Sequence, residues 1–583
     1  MRLRLCVVAI VLLGVVLVVS GRAPDAPAPP WDGGSTHPVD VSIRSNGLSS
    51  PKAPSGHGIP APGVSEEPDD EGVSVPGDAE GPPYPRLGMW WLDLDTATPE
   101  AIARYDLVLN EFDEPEYVEK LREVRAINPT IRIFRPISPT EQSWEYNGAN
   151  PLVRDLPSAF FVTTLGTTLA APVSKTQTTI PVRSLTQPDG SSKFSVGDTI
   201  VIGTGESAKV VGIDAHNKVL TVQRGFIRPA AVHLADEYVA AHVTFWPESW
   251  VMNVAGTCPR VTVPWVDRPV NWVELYRSLL ITPTVPGLEW NGDYINQAEV
   301  GYDGIVIDRF EDRESWLAEG DDGETLLDLY QNNTRVSSAA FDASWKLGVD
   351  QLRGLLKQSY PELALIRNNP LSLEYGSYNG QVYEQSGWAA PTSPWWHAFF
   401  TQTDTADYYR NGCYLDWFTW GARPLYVMVE VYQDESFPGE SAGSDASPGS
   451  VTLDYQRMRL SLTSTLLGDG YYSYELSTSV HGSGGLFWFD EYDNAGAGKG
   501  YLGYPAGPAL RLSSGAYRRI FDRGLVLVNP QATPVRILLE EPYERIAGSQ
   551  APSVNDGRIS SVVELDAWDG IILLHPHRVG SDA

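Results

Sequence analysis

Eight short apolar runs alternate with amphipathic helical stretches along most of the chain, and this alternation constrains the fold more than any other feature. The runs are Gly88–Asp95, Leu107–Phe112, Ile131–Ile137, Gly304–Phe310, Leu363–Asn368, Gln381–Glu384, Leu425–Val431 and Gly470–Glu475. Nearly continuous apolar character over so few residues reads as a strand buried on both faces. Between the runs, the spacing predicts helices over Thr98–Tyr105, Glu114–Ile127, Trp272–Ile281, Ser337–Ser359, Pro394–Tyr409 and Asp454–Leu467. Thr98-Pro99-Glu100 supplies a cap followed by proline at the first turn of one of them. Strands alternating with helices in this number predict an α/β fold, a closed parallel (β/α)8 TIM barrel, with a doubly wound sheet as the competing arrangement.

The rhythm breaks in three places. From about residue 166 to 241 the helical period vanishes and short strands with turn residues replace it, as in SVGDTIVIG and HNKVLTVQRG. That pattern predicts a small all-β module. Barrel-like sequence resumes at Thr244-Phe245-Trp246-Pro247, so the module reads as an insertion after the third strand. It resembles a β module recurrent in phage and cell-surface proteins, in which a strand ending in Arg-Gly, here Arg224-Gly225, precedes a loop ending in histidine, here His233. Residues 522–576 alternate again, with an Asn555-Asp556-Gly557 turn, and predict a C-terminal β-sandwich. The barrel is expected over 84–165 and 242–521.

At the other end, Arg2 and Arg4 precede an apolar run from Cys6 to Val19. Its length fits the core of a signal peptide better than a full bilayer span of about 20 residues. Residues 1–21 are therefore expected to be a cleaved signal or an uncleaved membrane anchor, and the body to be secreted or tethered outside the cytoplasm. Residues 22–83 are rich in Pro, Gly, Ser and acid, a composition expected of a disordered linker.

A formal net charge of −30, without a Lys/Arg cluster beyond the extreme N-terminus, makes nucleic acid an improbable partner. Cys258 and Cys413 fit neither a zinc site nor a redox pair, and two buried thiols and one long-range disulfide both remain open. No phosphate-binding glycine loop, GxSxG, HExxH or CxxC occurs, and no cofactor or metal is expected. The acidic run Asp321-Asp322-Gly323-Glu324 lacks the full alternation of a calcium loop and reads as a solvated turn.

In a parallel barrel the working residues project from the C-terminal ends of the strands. That rule selects Asp308, which closes GIVID, and Glu384, which closes QVYE, as the catalytic candidates. Glu430, Glu475 and Asp93 follow as supporting carboxylates, and Glu111 holds a similar position on the second strand. Carboxyl groups that share a cavity can divide into an acid and a base, the division that glycosidic bond cleavage requires. The same residue types also serve as helix caps and surface ion pairs. Eighteen Trp and 27 Tyr, many in expected loops, suit the mixed surface of a pyranose. Trp91, Asn110, Trp144, Arg309, Asn368 and Trp388 are the candidate substrate-binding residues.

Tyr105-Asp106-Leu107-Val108-Leu109-Asn110, Trp246-Pro247 with Trp250 and Asn253, and Gly301-Tyr302-Asp303-Gly304-Ile305-Val306-Ile307-Asp308 stand in order along the body. Arg367-Asn368-Asn369, Tyr383-Glu384, the WFDEYD stretch from Trp488 to Asp493, and Gly524 to Pro530 follow. With these residues the chain resembles the glycoside hydrolases of the hypothetical glycosyl hydrolase 15 type, a barrel family. The G-x-D-G-x-x-x-D segment is also similar to that of the endo-α-1,4-polygalactosaminidases, where the closing Asp ends the fourth strand and a Glu ends the sixth. The resemblance implies a glycoside hydrolase acting on a polysaccharide or oligosaccharide, with Asp308 and Glu384 in those two positions. Competing expectations are a non-catalytic carbohydrate-binding protein or a surface adhesion protein on the same scaffold.

Overall fold

The computed structural model describes residues 81–144, 151–282, 294–368, 375–385, 414–432, 453–475 and 486–576. Residues 1–21, most of the expected linker, the expected helix Pro394–Tyr409, Trp388 and Cys413 lie outside them. Residues 81–83 of that linker belong to the body instead: the Tyr504 hydroxyl donates to Gly81 O at 3.1 Å, and Arg86 Nε donates to Pro82 O at 2.8 Å. Among the described residues no helix is long and apolar enough to cross a membrane.

The eight runs form one eight-stranded parallel sheet in chain order: β1 (Gly88–Trp90), β2 (Leu107–Leu109), β3 (Arg132–Ile137), β4 (Gly304–Ile307), β5 (Ala364–Asn368), β6 (Gly380–Gln385), β7 (Met428–Tyr432) and β8 (Tyr471–Glu475). A parallel bridge between Leu87 and Tyr472, with Tyr472 N donating to Arg86 O at 3.0 Å, joins the first strand to the last and closes the barrel. Side chains alternate across each strand, so every second residue fills the interior. Trp90, Leu109, Phe134, Val306, Ile366, Val382, Met428 and Tyr471 form that inner core. Gly304 is small because Phe134 crosses in front of it; a Cβ there would lie 2.4 Å from the Phe134 ring.

The intervening residues of the same strands, among them Ile133, Ile305, Leu365 and Val429, pack outward into the main core. The long helix Ser338–Ser359 covers part of that face with Phe341, Trp345, Val349, Leu352 and Leu356, spaced three or four apart on one stripe. It starts where the Ser337 side chain accepts Ala340 N. Asn271 and Asp454 cap the helices Trp272–Ile281 and Tyr455–Thr465 in the same way.

After β3 the chain forms Glu141–Ser143, which pairs antiparallel with Ser249–Val251. The all-β insert lies between these two strands in sequence. Its six-stranded antiparallel sheet runs Thr167–Thr168, Tyr238–Ala241, Thr199–Ile202, Glu206–Asp214, Val219–Arg224, Thr179–Pro181 in spatial order. Leu169, Ile180, Ile200, Val210, Leu220 and Val239 belong to a core of its own. Arg224 and His233, the two residues of the module's motif, converge on one buried carboxylate: Arg224 Nη2 lies 2.6 Å and His233 Nε2 2.8 Å from Glu206 Oε2.

The C-terminal layer is one six-stranded antiparallel sheet bent over its own core. The strand Val535–Arg545 pairs with Ile559–Leu565 along most of its length and with Asp569–Leu574 through Glu544 and Arg545. The sheet begins earlier than residue 522, because Leu510–Arg511 and Tyr517–Phe521 belong to it. Phe521 pairs with Gly524 across a two-residue turn. Asp569 fixes this layer to the barrel through Arg459 of the helix Tyr455–Thr465, at 2.7 and 3.0 Å.

Candidate active site

Strand parity explains which side chains meet. Gly304 and Val306 point inward on β4, so the next inward position is Asp308, whose N–H continues the ladder to Ile137 O at 2.8 Å. By the same alternation Ile366 leads to Asn368 on β5, Val382 to Glu384 on β6, Met428 to Glu430 and Tyr432 on β7, and Ser473 to Glu475 on β8. Five neighbouring strand ends thus present Asp308, Asn368, Glu384, Glu430, Tyr432 and Glu475 on the interior lines.

Asn368 Nδ2 donates to Asp308 Oδ1 at 2.9 Å. Glu384 and Glu430 stand opposite each other in register on adjacent strands, and Tyr432 stands opposite Glu475. The Tyr432 hydroxyl donates to Glu430 Oε2 at 2.9 Å. Burial pushes the Tyr432 phenol well above its ordinary pKa, and the negative charges of Glu384, Glu430 and Glu475 raise it further. It is therefore a permanent donor. Glu430 is fully buried and Glu475 nearly so, with Ser473 Oγ donating to Glu475 Oε1 at 3.3 Å; Glu384 is half-buried.

The other expected residues are placed differently. Asp93 closes a turn, accepting Asp95 N at 3.1 Å and Thr96 Oγ1 at 2.7 Å. Asn110 ties the ends of β1 and β2 by donating to Leu92 O at 2.7 Å. Glu111 pairs with Arg135 at 2.5 Å. Trp91 stacks on Trp90 at 6.2 Å between ring centroids, and Trp144 meets Phe226 of the insert edge to face at 5.1 Å. Arg309 turns into the protein, with Nη1 3.2 Å from Glu141 Oε1 and Nη2 2.8 Å from Glu314 Oε1.

That last cluster adds carboxylates beside Asp308 that strand-end reasoning missed. Glu141 sits four residues beyond the end of β3, outside the positions the rule inspects. Burial pushes its pKa up, and the nearby charge of Asp308 adds to the rise against the opposing Arg309, leaving it at about 7. Glu314 is fully buried and also held well above the carboxylate range by burial, although Arg309 opposes the shift. Glu311 is raised by burial too, while Trp316 Nε1 donates to it at 3.1 Å. The dense polar loop after Asp308 was the available signal for these two; Tyr432 was signalled only by lying two residues past Glu430 on the same strand.

Among the described residues no group of three or more His, Cys, Asp or Glu could hold a metal ion. The acidic run behaves as a turn, with Asp322 paired to Arg335 at 2.5 Å. Cys258 is a free, buried thiol.

No protein-family model matches the chain, and no curated protein is recognisably similar to it. Solved structures give loose likenesses. The glycoside hydrolase domain of PelA from Pseudomonas aeruginosa is 10% identical over 68% of this chain and 95% of its own, with a TM-score of 0.30. Amy13B from Eubacterium rectale is 8% identical over 84% and 95% of the two chains, with a TM-score of 0.36. The maltogenic α-amylase AmyB from Thermotoga neapolitana is 8% identical over 82% and 93%, with a TM-score of 0.34.

Proposed function

We propose that the chain is a glycoside hydrolase that cleaves a polysaccharide or oligosaccharide outside the cytoplasm by a two-carboxylate mechanism. The observation that carries this reading is the convergence of Asp308, Glu384, Glu430 and Glu475 on the inward lines at the C-terminal end of one barrel. Asp308, oriented by Asn368, acts as nucleophile or as the base that activates water. Glu384 acts as general acid toward the leaving oxygen. Its register neighbour Glu430 allows one proton to be held between two carboxyls, and Tyr432 biases that proton by donating to Glu430. Strands β4 and β6 are two spacings apart, about 10 Å between backbones, so inward carboxyls can approach the roughly 5–9.5 Å range of both stereochemical outcomes.

Release of reducing ends from a panel of polysaccharides tests the reading. Asp308→Asn and Glu384→Gln should each lower turnover by about 10²- to 10⁴-fold or more on any substrate the wild type cleaves, with binding largely retained. Near-normal turnover in both would refute the assignment. A glycan that binds at this end of the barrel but is never cleaved would replace it with a carbohydrate-binding protein.

A further inference from the structure

The insert returns to the barrel through Thr244–Glu248, and this short loop is held in an unusual way. The buried Glu141 Oε1 accepts Phe245 N at 3.2 Å and Trp246 N at 3.4 Å. Ser249 Oγ donates to Trp246 O at 2.8 Å, and Glu248 adopts a positive φ of 64°. The Arg309 guanidinium, adjacent in sequence to Asp308, lies 3.7 Å from the Phe245 ring centroid. Phe245 meets Trp246 at 5.1 Å and Trp316 at 5.9 Å, both edge to face. A loop fastened this firmly could have buried its aromatic rings. Phe245 remains 38% and Trp246 40% exposed.

Single exposed aromatics are ordinary, but joined rings with a polar rim mark binding grooves. Here the polar groups that reach solvent beside the rings are Thr244 and Glu248 of the same loop, while Arg309 and Glu311, on the loop that carries Asp308, are buried and brace Phe245 and Trp316. Apolar ring faces bordered by hydrogen-bonding groups match a pyranose, whose C–H face stacks while its hydroxyls reach outward. We propose that Phe245 and Trp246 form a stacking platform for a sugar unit flanking the one at Asp308, so that the exit loop of the insert supplies a subsite for an oligomeric pyranoside chain. This rests on reading Asp308 as the reacting centre.

The test is affinity electrophoresis of full-length D308N, which should bind without turnover, in native gels containing galactomannan, soluble starch, laminarin or partly deacetylated chitosan. The parent should be retarded in at least one gel. D308N/W246A and D308N/F245A should bind about tenfold more weakly there, whereas D308N/W246F should keep most of the retardation with an unchanged melting temperature. Equal retardation of the alanine variants and the parent, or no retardation of the parent in any gel, would overturn the platform. Reducing-end release by D308N, with retardation still dependent on Trp246, would sink the catalytic assignment and leave the platform standing.

Discussion

Asn368 on β5 donates its side-chain amide to Asp308 at the end of β4, 2.9 Å away, binding adjacent strand ends through the residue proposed as nucleophile or base. A hydrogen bond to a charged group contributes about 1.5–3 kcal/mol and also fixes the direction of the second carboxylate oxygen. Asn368→Ala should therefore lower kcat by about 10- to 100-fold with a smaller change in KM, because misplacing a reacting group costs the transition state most. Steady-state kinetics on the best panel substrate measure this. A loss confined to KM would make Asn368 a substrate contact instead.

Tyr432 and Glu430, both buried on β7, make a second such pair. Without the hydroxyl, Glu430 competes better for the proton that the mechanism assigns to Glu384. Tyr432→Phe should lower the kcat plateau about tenfold and displace the alkaline limb of the pH profile, the limb that reports the general acid, while losing about 1–3 kcal/mol of stability. An unchanged pH profile together with the stability loss would reduce Tyr432 to a packing residue.

The barrel strands were legible because burial on both faces forces continuous apolar runs, and GIVID or LYVMVEV admits few other readings. Tyr517–Phe521 was not, since Arg518 and Arg519 interrupt its apolar character; one reaches Glu540 and the other the buried Asp469, contacts that only the tertiary structure creates. Asp308, Glu384, Glu430 and Glu475 followed from strand-end position alone. Asp93 satisfied the same rule but serves its own turn, because an Asx side chain bonds nearby backbone readily, whereas Asn110, expected as a substrate contact, reaches across to Leu92 beside β1. Glu141 escaped notice because a carboxylate beyond a strand end is placed by the return of a distant segment, here Phe245 and Trp246.

The insert offers a test independent of any substrate. Burial raises the pKa of Glu206, but hydrogen bonds from Arg224, the Ala231 amide and His233 outweigh it and leave the carboxyl below its usual range. A carboxyl depressed in the folded state adds stability above its unfolded pKa, about 4.3, and loses it as pH falls through the lower folded value. Amide exchange at Thr199–Ile202 and Val219–Arg224, taken relative to the intrinsic rate at each pH, should therefore accelerate as the full-length protein is acidified below about pH 4. Glu206→Gln should accelerate it already at neutral pH, as expected for about 3–5 kcal/mol lost when a buried charged partner is removed. Exchange insensitive to both changes would show that the Arg224–Glu206–His233 network does not hold the module together.

Glu141 makes the opposite prediction. Its folded pKa of about 7 lies above the unfolded value of about 4.3, because burial and the neighbouring Asp308 favour the protonated form more than Arg309 favours the charged one. Stability from a raised carboxyl is complete below the unfolded pKa and falls as pH rises through the folded value. In this window the unfolded chain releases a proton that the native site still holds. Glu141→Gln keeps an oxygen to accept Phe245 N and Trp246 N but removes the titration, so it resembles the protonated wild type. The variant should unfold close to wild type near pH 4 and become relatively more stable toward pH 7, by roughly 3 kcal/mol at most. Melting curves of both proteins across that range measure the difference. A difference that stays flat with pH would mean that Glu141 is ionised throughout, held by Arg309 as an ordinary buried ion pair.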